Sequence, residues 1–382
     1  MASSSAPVSS SPVAAGGSGS GVYSAWAADA GVACAVFFAL LGVCGNLLTL
    51  CALLRSRKLR SAPTTLFVLS LSCTDLLFCA FHMPLTAVRY ATRSWILGPL
   101  LCRLFPFLFY LNVAASVCHI AAISLNRYIL IAHYHAYASV YRGRYLVLMV
   151  LFCWLFPAAL LLPTMAEAWG SFGYNPATFS CTILKDEEGR SPKKVIFLLG
   201  FFLPVTVILF CYARIFWVVR RSRRNTRNAR LRRDKEPGGG GSRESMALTR
   251  MVLVIFVVFL LCYLPLMLAN VFDDKDRYPD LHVIASILAW SASVVNPLIY
   301  GLMSSRYRAA YAAVLPCRLG GSRLEVTAAA ATSSTNSRQH KEQEERHSMR
   351  MTALETACSH VTSDSSIVSR GLYEGHAADI RL

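Results

Sequence analysis

Charge is scarce in this chain: 15% of its 382 residues are Asp, Glu, Lys or Arg, against about 25% in soluble domains. With 55% of residues hydrophobic, that shortage excludes an ordinary water-soluble globular protein. Acids are scarcer still, at 21 against 38 Lys and Arg, a net charge of +17. A mean hydropathy of +0.45 nevertheless excludes a nucleic-acid binder, which spreads its basic residues over a wet surface. The first 28 residues hold no Lys or Arg, so the cationic start of a secretory leader is missing. They hold no Asn either, and Asn175 is followed by Pro176, which blocks the other external glycosylation acceptor. The 13 cysteines include no Cys-x-x-Cys pair and no Cys/His cluster, so no metal site is expected. Most of these thiols lie in apolar runs, where they behave as small hydrophobes. Gly-x-Ser-x-Gly, His-Glu-x-x-His and paired intramembrane aspartates are all lacking, so the chain is not expected to be an enzyme. A channel or transporter would show several membrane-embedded charges or an internal repeat, and neither is found.

Long apolar stretches are what the chain does have. A bilayer core about 30 Å thick takes about 20 apolar residues per helix. Seven stretches reach that length: residues 30–54, 64–88, 98–125, 145–166, 195–219, 248–270 and 281–303. The expected fold is therefore an all-α membrane protein, a seven-transmembrane helix bundle spanning 29–317 with a short amphipathic eighth helix at 304–315. Residues 1–28, rich in Ser, Ala and Gly, read as a disordered extracellular tail, and 318–382 as a disordered cytoplasmic one. Orientation follows from the basic loops, which stay cytoplasmic. Arg55, Arg57, Lys58 and Arg60 follow the first span, Arg142 and Arg144 the third, and twelve basic residues crowd 214–250. The alternate loops are acidic or mixed, as at Asp273, Asp274, Asp276 and Asp280, with Arg89, Arg93 and Arg103 as the exception. This balance puts the N-terminus outside and makes the plasma membrane the expected location.

A carboxylate in mid-membrane is expensive, which makes Asp75 the most informative acid. Asn46, Ser116, Ser293 and Asn296 are oxygen donors on neighbouring spans. Together they suit either a sodium ion or a hydrogen-bonded network around a protonated Asp75, and spacing does not separate the two. Pro204, Pro265 and Pro297 bend three successive spans. Cys102 and Cys181 are the cysteines placed outside, where the medium is oxidising, so a disulfide between them is the natural reading. Cys317 stands just past the amphipathic stretch, a candidate for palmitoylation. The end Ile380-Arg381-Leu382 has the pattern of a PDZ-domain ligand, a pattern that random tails also produce.

Gly45-Asn46, Leu71-Ser72-Cys73-Thr74-Asp75, Asn126-Arg127-Tyr128, Trp154, Pro204 with Tyr212, Cys262-Tyr263-Leu264-Pro265 and Asn296-Pro297-Leu298-Ile299-Tyr300 occur one set per span, in order. In this register the chain resembles the rhodopsin-like (class A) G-protein-coupled receptors over about residues 28–317. The run from Ser124 to His133 around Asn126-Arg127-Tyr128 is similar to the arthropod Moody and trapped-in-endoderm type receptors. Melatonin receptors share that triplet but usually keep a tryptophan where this chain has Tyr263, and they stand as the alternative. The resemblance implies that an outside ligand biases a two-state bundle whose cytoplasmic face admits a heterotrimeric G protein, of the inhibitory type for Moody-like receptors. Those relatives are associated with glial barrier integrity and cell migration. Arg127 would meet the G-protein α-subunit and the hydroxyls of Tyr212 and Tyr300, while the basic stretches 220–233 and 243–250 face its mouth and anionic lipid.

Two departures from the family pattern stand out. Where most members have Asp or Glu before the arginine, Asn126 offers a neutral hydrogen bond, about half as strong as a charge-assisted one; Glu244 or another acid is the candidate to compensate, although position 245 is Ser. A resting state less firmly locked than usual is expected. Tyr263 replaces the tryptophan that touches ligand, and is either a switch or a plain core residue. For the ligand pocket, Phe109, Val113 and Ser116 share one helix face, opposite Tyr263, Met267, Asn270, Ser286 and Trp290. Phe109 stands where amine receptors carry an aspartate, so a lipid or small amphipathic ligand is expected instead. Arg89, Arg93 and Arg103 at the outer mouth either attract an anionic head group or are simply solvated.

Overall fold

The computed structural model describes residues 23–60, 62–176, 178–230, 240–272 and 277–315. The expectations for residues 1–22, for Cys317 and for the tail ending at Leu382 lie outside them, as does the side chain of Glu244.

Among the described residues, seven helices are long and apolar enough to cross a membrane: Ala25–Arg55, Thr64–Thr92, Gly98–Ala132, Gly143–Met165, Lys193–Arg221, Met246–Phe272 and Pro279–Met303. They are numbered first to seventh below. An eighth, Ser305–Val314, follows a break at Ser304, whose backbone is extended (φ −125°, ψ 116°). Several helices outrun their apolar stretches, because in a bilayer every backbone group must be bonded within its own helix until the chain reaches water. The third helix is the axle. Its apolar stretch is 72% buried, whereas the fourth is 17% and the first 28% buried, so those two present most of their surface to lipid. Phe37, Leu40, Phe152, Leu155, Phe210 and Leu261 form part of that exposed belt.

Lipid offers helices no hydrophobic drive to associate, so close packing over small residues does the work. Gly42 illustrates it: a Cβ there would collide with Cys79 Sγ of the second helix, so only glycine lets the two backbones approach.

Three features were not expected from the sequence. Wide π-helical turns occur at Phe78–His82 and Leu198–Phe202, each just upstream of a proline, Pro84 or Pro204. A proline lacks the N–H that would bond the carbonyl one turn back, and a wide turn re-registers the freed groups. A short helix, Tyr134–Val140, lies between the third and fourth spans. Outside, β1 (Ser171–Asn175) and β2 (Ser180–Leu184) form an antiparallel hairpin that sets Phe172 against Ile183 and Tyr174 against Cys181.

Candidate functional site

At the cytoplasmic end of the third helix Arg127 is 4% exposed. Its Nη2 donates to Asn126 Oδ1 at 2.6 Å, and Asn126 Nδ2 donates to Tyr137 Oη on the short loop helix at 3.2 Å. Tyr137, Tyr141, Tyr212 and Tyr307 surround the guanidinium. Among the described residues no carboxylate pairs with it. The other residues of this group are spread out. Tyr128 turns outward, its hydroxyl 3.1 Å from His133 Nε2. Tyr212 donates instead to the Thr249 carbonyl at 3.3 Å, bridging the fifth and sixth helices. Tyr300 is fully buried and stacks on Tyr307, ring centroids 5.0 Å apart, while the Pro297 carbonyl accepts from Tyr311 Oη at 3.3 Å. The expected meeting of Arg127 with the Tyr212 and Tyr300 hydroxyls is thus not made in this arrangement. The Tyr212 hydroxyl is bonded to Thr249, and the buried Tyr300 hydroxyl has no hydrogen-bond partner among the described residues.

Half-way through the bundle, Asn296 Nδ2 donates to Asp75 Oδ2 at 2.8 Å. Asn46 does not bond the carboxylate. Its Nδ2 donates to the carbonyls of Gly42 and Ser293, at 2.9 and 3.0 Å, tying the first helix to the seventh. The Ser293 hydroxyl lies beside both Asp75 and the Tyr263 hydroxyl, but is not aligned for a hydrogen bond to either. Ser116 is buried on the third helix and makes no bond to this group. The Trp154 motif is satisfied separately. His119 Nδ1 lies 2.7 Å from the Ala115 carbonyl and Nε2 2.8 Å from Ser70 Oγ, which also accepts from Trp154 Nε1 at 2.9 Å.

On the outer side a disulfide joins Cys102 to Cys181, clamping β2 onto the start of the third helix with a Cα–Cα distance of 5.3 Å. Under the hairpin lies a cavity of about 140 Å³. Phe109, Asn270, Ser286 and Trp290 line it. Val113, Tyr263 and Met267 do not: at 3%, 1% and 1% exposure they pack into the core below its floor. Helical spacing gave the correct face for them but carried no depth. The lining also includes residues that the pocket expectation omitted, His82, Tyr90, Phe105 and Tyr23 among them. His82, Thr86 and Arg89 recur at spacings of four and three on the second helix, a signal that could have placed that wall. Tyr23 covers the cavity, tilted against Tyr90 and edge-on to Phe179. Burial pushes its phenol pKa up, against the opposing pull of Arg89. Beside it the Ser24 amide donates to Asp280 Oδ1 at 2.7 Å.

The three outer arginines are unequal. Arg103 is exposed and paired with Glu167 at 2.5 Å. Arg93 ends the second helix in the left-handed conformation (φ 48°). Arg89 is 7% exposed and lines the cavity.

The chain matches the family described as 7 transmembrane receptor (rhodopsin family) over residues 45–300. It is 46% identical over 294 residues to protein trapped in endoderm-1 of Drosophila melanogaster, covering 72% of this chain and 75% of that one. To the G-protein coupled receptor moody of the same fly it is 33% identical over 335 residues, 73% of this chain and 50% of the relative. Human melatonin receptor type 1B is 33% identical over 297 residues, with 76% and 79% covered. The crystal structure of squid rhodopsin shares the fold, with a TM-score of 0.70 at 22% identity over 78% of this chain and 88% of that one. An arginine sealed at the inner end, a disulfide-clamped cavity at the outer end and seven helices between them are thus found together with similarity over most of the chain. It belongs to the rhodopsin family of seven-transmembrane receptors, a multi-pass plasma-membrane protein and not an enzyme, related to trapped in endoderm-1, moody and the melatonin receptors.

Proposed function

We propose that the receptor passes an extracellular chemical signal, from a small amphipathic or lipid ligand rather than an amine, to a heterotrimeric G protein of the inhibitory class. The observation that carries this reading is Arg127. A guanidinium never sheds its charge, so burying it without a carboxylate is costly, and the neutral Asn126 acceptor offsets only part of that cost. Such a group is poised to exchange its tyrosine surroundings for the acceptors of a cytosolic partner once the fifth and sixth helices separate. Between those helices a cytoplasmic cleft already opens, lined by Tyr212, Ile215, Val219, Met246, Thr249 and Leu253. Against an amine ligand stands the outer cavity, whose described lining holds no carboxylate and where Phe109 packs against Phe78 and His82.

The test is guanine-nucleotide exchange by the purified receptor on each class of α-subunit. Wild type should accelerate exchange without ligand on the inhibitory class most, and Arg127→Ala should fall to the receptor-free rate. Equal rates for the two proteins would overturn the reading.

A sodium ion held by Asp75 fits the same scheme. The Ser293 Oγ beside it, Asn46 Oδ1 on the first helix and Ser116 Oγ on the third are buried with no aligned hydrogen-bond partner, the hard-oxygen chemistry that a small cation takes. An ion there would favour the resting bundle. Replacing sodium by choline in the same assay should then raise ligand-free exchange, and an unchanged rate removes the ion.

A further inference from the structure

We propose that Arg89 anchors an anionic group, so that the outer cavity takes a ligand bearing a carboxylate or phosphate on an apolar body. This rests on the outer cavity being the ligand site of the reading above, and it names the chemistry of that ligand.

Arg89 is almost completely buried, lines the cavity, and carries a permanent charge. What surrounds it is aromatic. Its guanidinium carbon lies 4.1 Å from the ring centre of Tyr90 and 5.9 Å from that of Phe105. Rings attract a cation through its faces, while the five N–H donors point outward in the guanidinium plane. Of these donors Nε is buried with no acceptor, and among the described residues no carboxylate forms an ion pair with Arg89. The contrast with Arg103, exposed and yet paired to Glu167, is instructive. Where the chain has an acid to spare on this side, it is spent on the arginine that water already solvates.

The rest of the cavity agrees with an anion. His82 is stacked between Phe78 and Phe105, at 4.7 and 4.0 Å, and its Nδ1 lies 3.3 Å from Thr86 Oγ1, whose own proton goes to the His82 carbonyl, so the ring bounds the site without bringing a negative charge to it. Lys193 and His282 stand on other walls, and no Asp or Glu is among the described lining residues. Asp280, at the mouth, is already bonded to the Ser24 amide. Phe109, Leu266 and Trp290 supply the apolar surface beside these groups. A space of about 140 Å³ is smaller than a drug-sized ligand needs. It suits a head group and the first part of a chain, with a planar oxyanion meeting the guanidinium fork in two parallel hydrogen bonds.

The experiment uses the full chain in nanodiscs of neutral lipid, without G protein, and three soluble probes of one chain length: octyl phosphate, octanoate and 1-octanol. Wild type should bind at least one anion about 10- to 100-fold more tightly than the alcohol, the range of one charge-assisted contact. Which anion binds more tightly separates a phosphate head group from a carboxylate. Arg89→Gln should erase the preference, Arg89→Lys should retain part of it, and Arg103→Gln should leave it whole. Lys keeps the charge, so its partial retention shows that the site still folds when the side chain is changed. Equal affinities for anion and alcohol, absent binding included, or a preference that survives Arg89→Gln, would overturn the proposal. Because binding is read without a G protein, a receptor that selects the anion but does not promote exchange defeats the coupling reading alone.

Discussion

Among the described residues two arginines are buried, one at each end, and their surroundings differ in kind. Arg127, inside, is bonded by its neighbour Asn126, which the loop helix holds through Tyr137. Arg89, outside, is faced by two rings and bonded by no described acceptor. A buried charge needs a partner. On the readings proposed above, the inner site has a weak partner of its own, which a cytosolic protein would replace, whereas the outer site awaits its partner. The difference in surroundings is what makes the inner end the proposed latch and the outer end the proposed receptacle.

The comparison breaks most visibly if the outer receptacle is unclamped. The disulfide from Cys102 to Cys181 spans 79 residues, and removal of a native disulfide costs about 2–5 kcal/mol in small secreted domains. Cys102→Ser should therefore lower the thermal stability of the purified receptor and abolish the anion preference, while ligand-free nucleotide exchange, read at the far end, persists in the folded fraction. Loss of exchange in proportion to loss of the anion preference would show that the two ends are not separable.

The inner latch is sharpened by Asn126→Asp. The change adds a second charge to the 2.6 Å bond with Arg127, turning a bond whose donor alone is ionised into an ion pair, and an aspartate can accept from the Tyr137 hydroxyl, to which Asn126 Nδ2 donates in the wild type. The resting arrangement gains about 1 kcal/mol, and basal exchange should fall about fivefold. An Asp variant with equal or higher basal exchange would refute the weak-latch account.

The seven helices were legible because a bilayer imposes one demand, about 20 apolar residues per crossing, and positive loops orient them. The arginine latch was legible because its residues are consecutive. Depth was not. Phe109 and Val113 lie on one face a turn apart, yet the first lines the cavity and the second is core. The hairpin was hidden because Ser171–Asn175 is five residues with a central glycine, and its strand character depends on pairing with Ser180–Leu184. Arg89, Arg93 and Arg103 were indistinguishable in sequence, since much of what separates them, Glu167 beside Arg103 and the Phe105 ring beside Arg89, is brought from elsewhere in the chain.

Tyr263 lies between the two arginines, and the smallest expected effect belongs to it. Its side chain is 1% exposed, packs on Phe259 at 4.6 Å between ring centres, and has a hydroxyl beside Ser293 with no aligned partner. A buried hydroxyl without a hydrogen bond is a desolvation cost with no return, so its loss is neutral or mildly stabilising. Tyr263→Phe should hold stability within about 1 kcal/mol of wild type and keep basal exchange within about twofold, because the ring that fills the core is unchanged. If the hydroxyl instead finds an acceptor only in the signalling arrangement, exchange would drop several-fold with stability intact. That result would make Tyr263 the relay between receptacle and latch, and the two ends would then be one device.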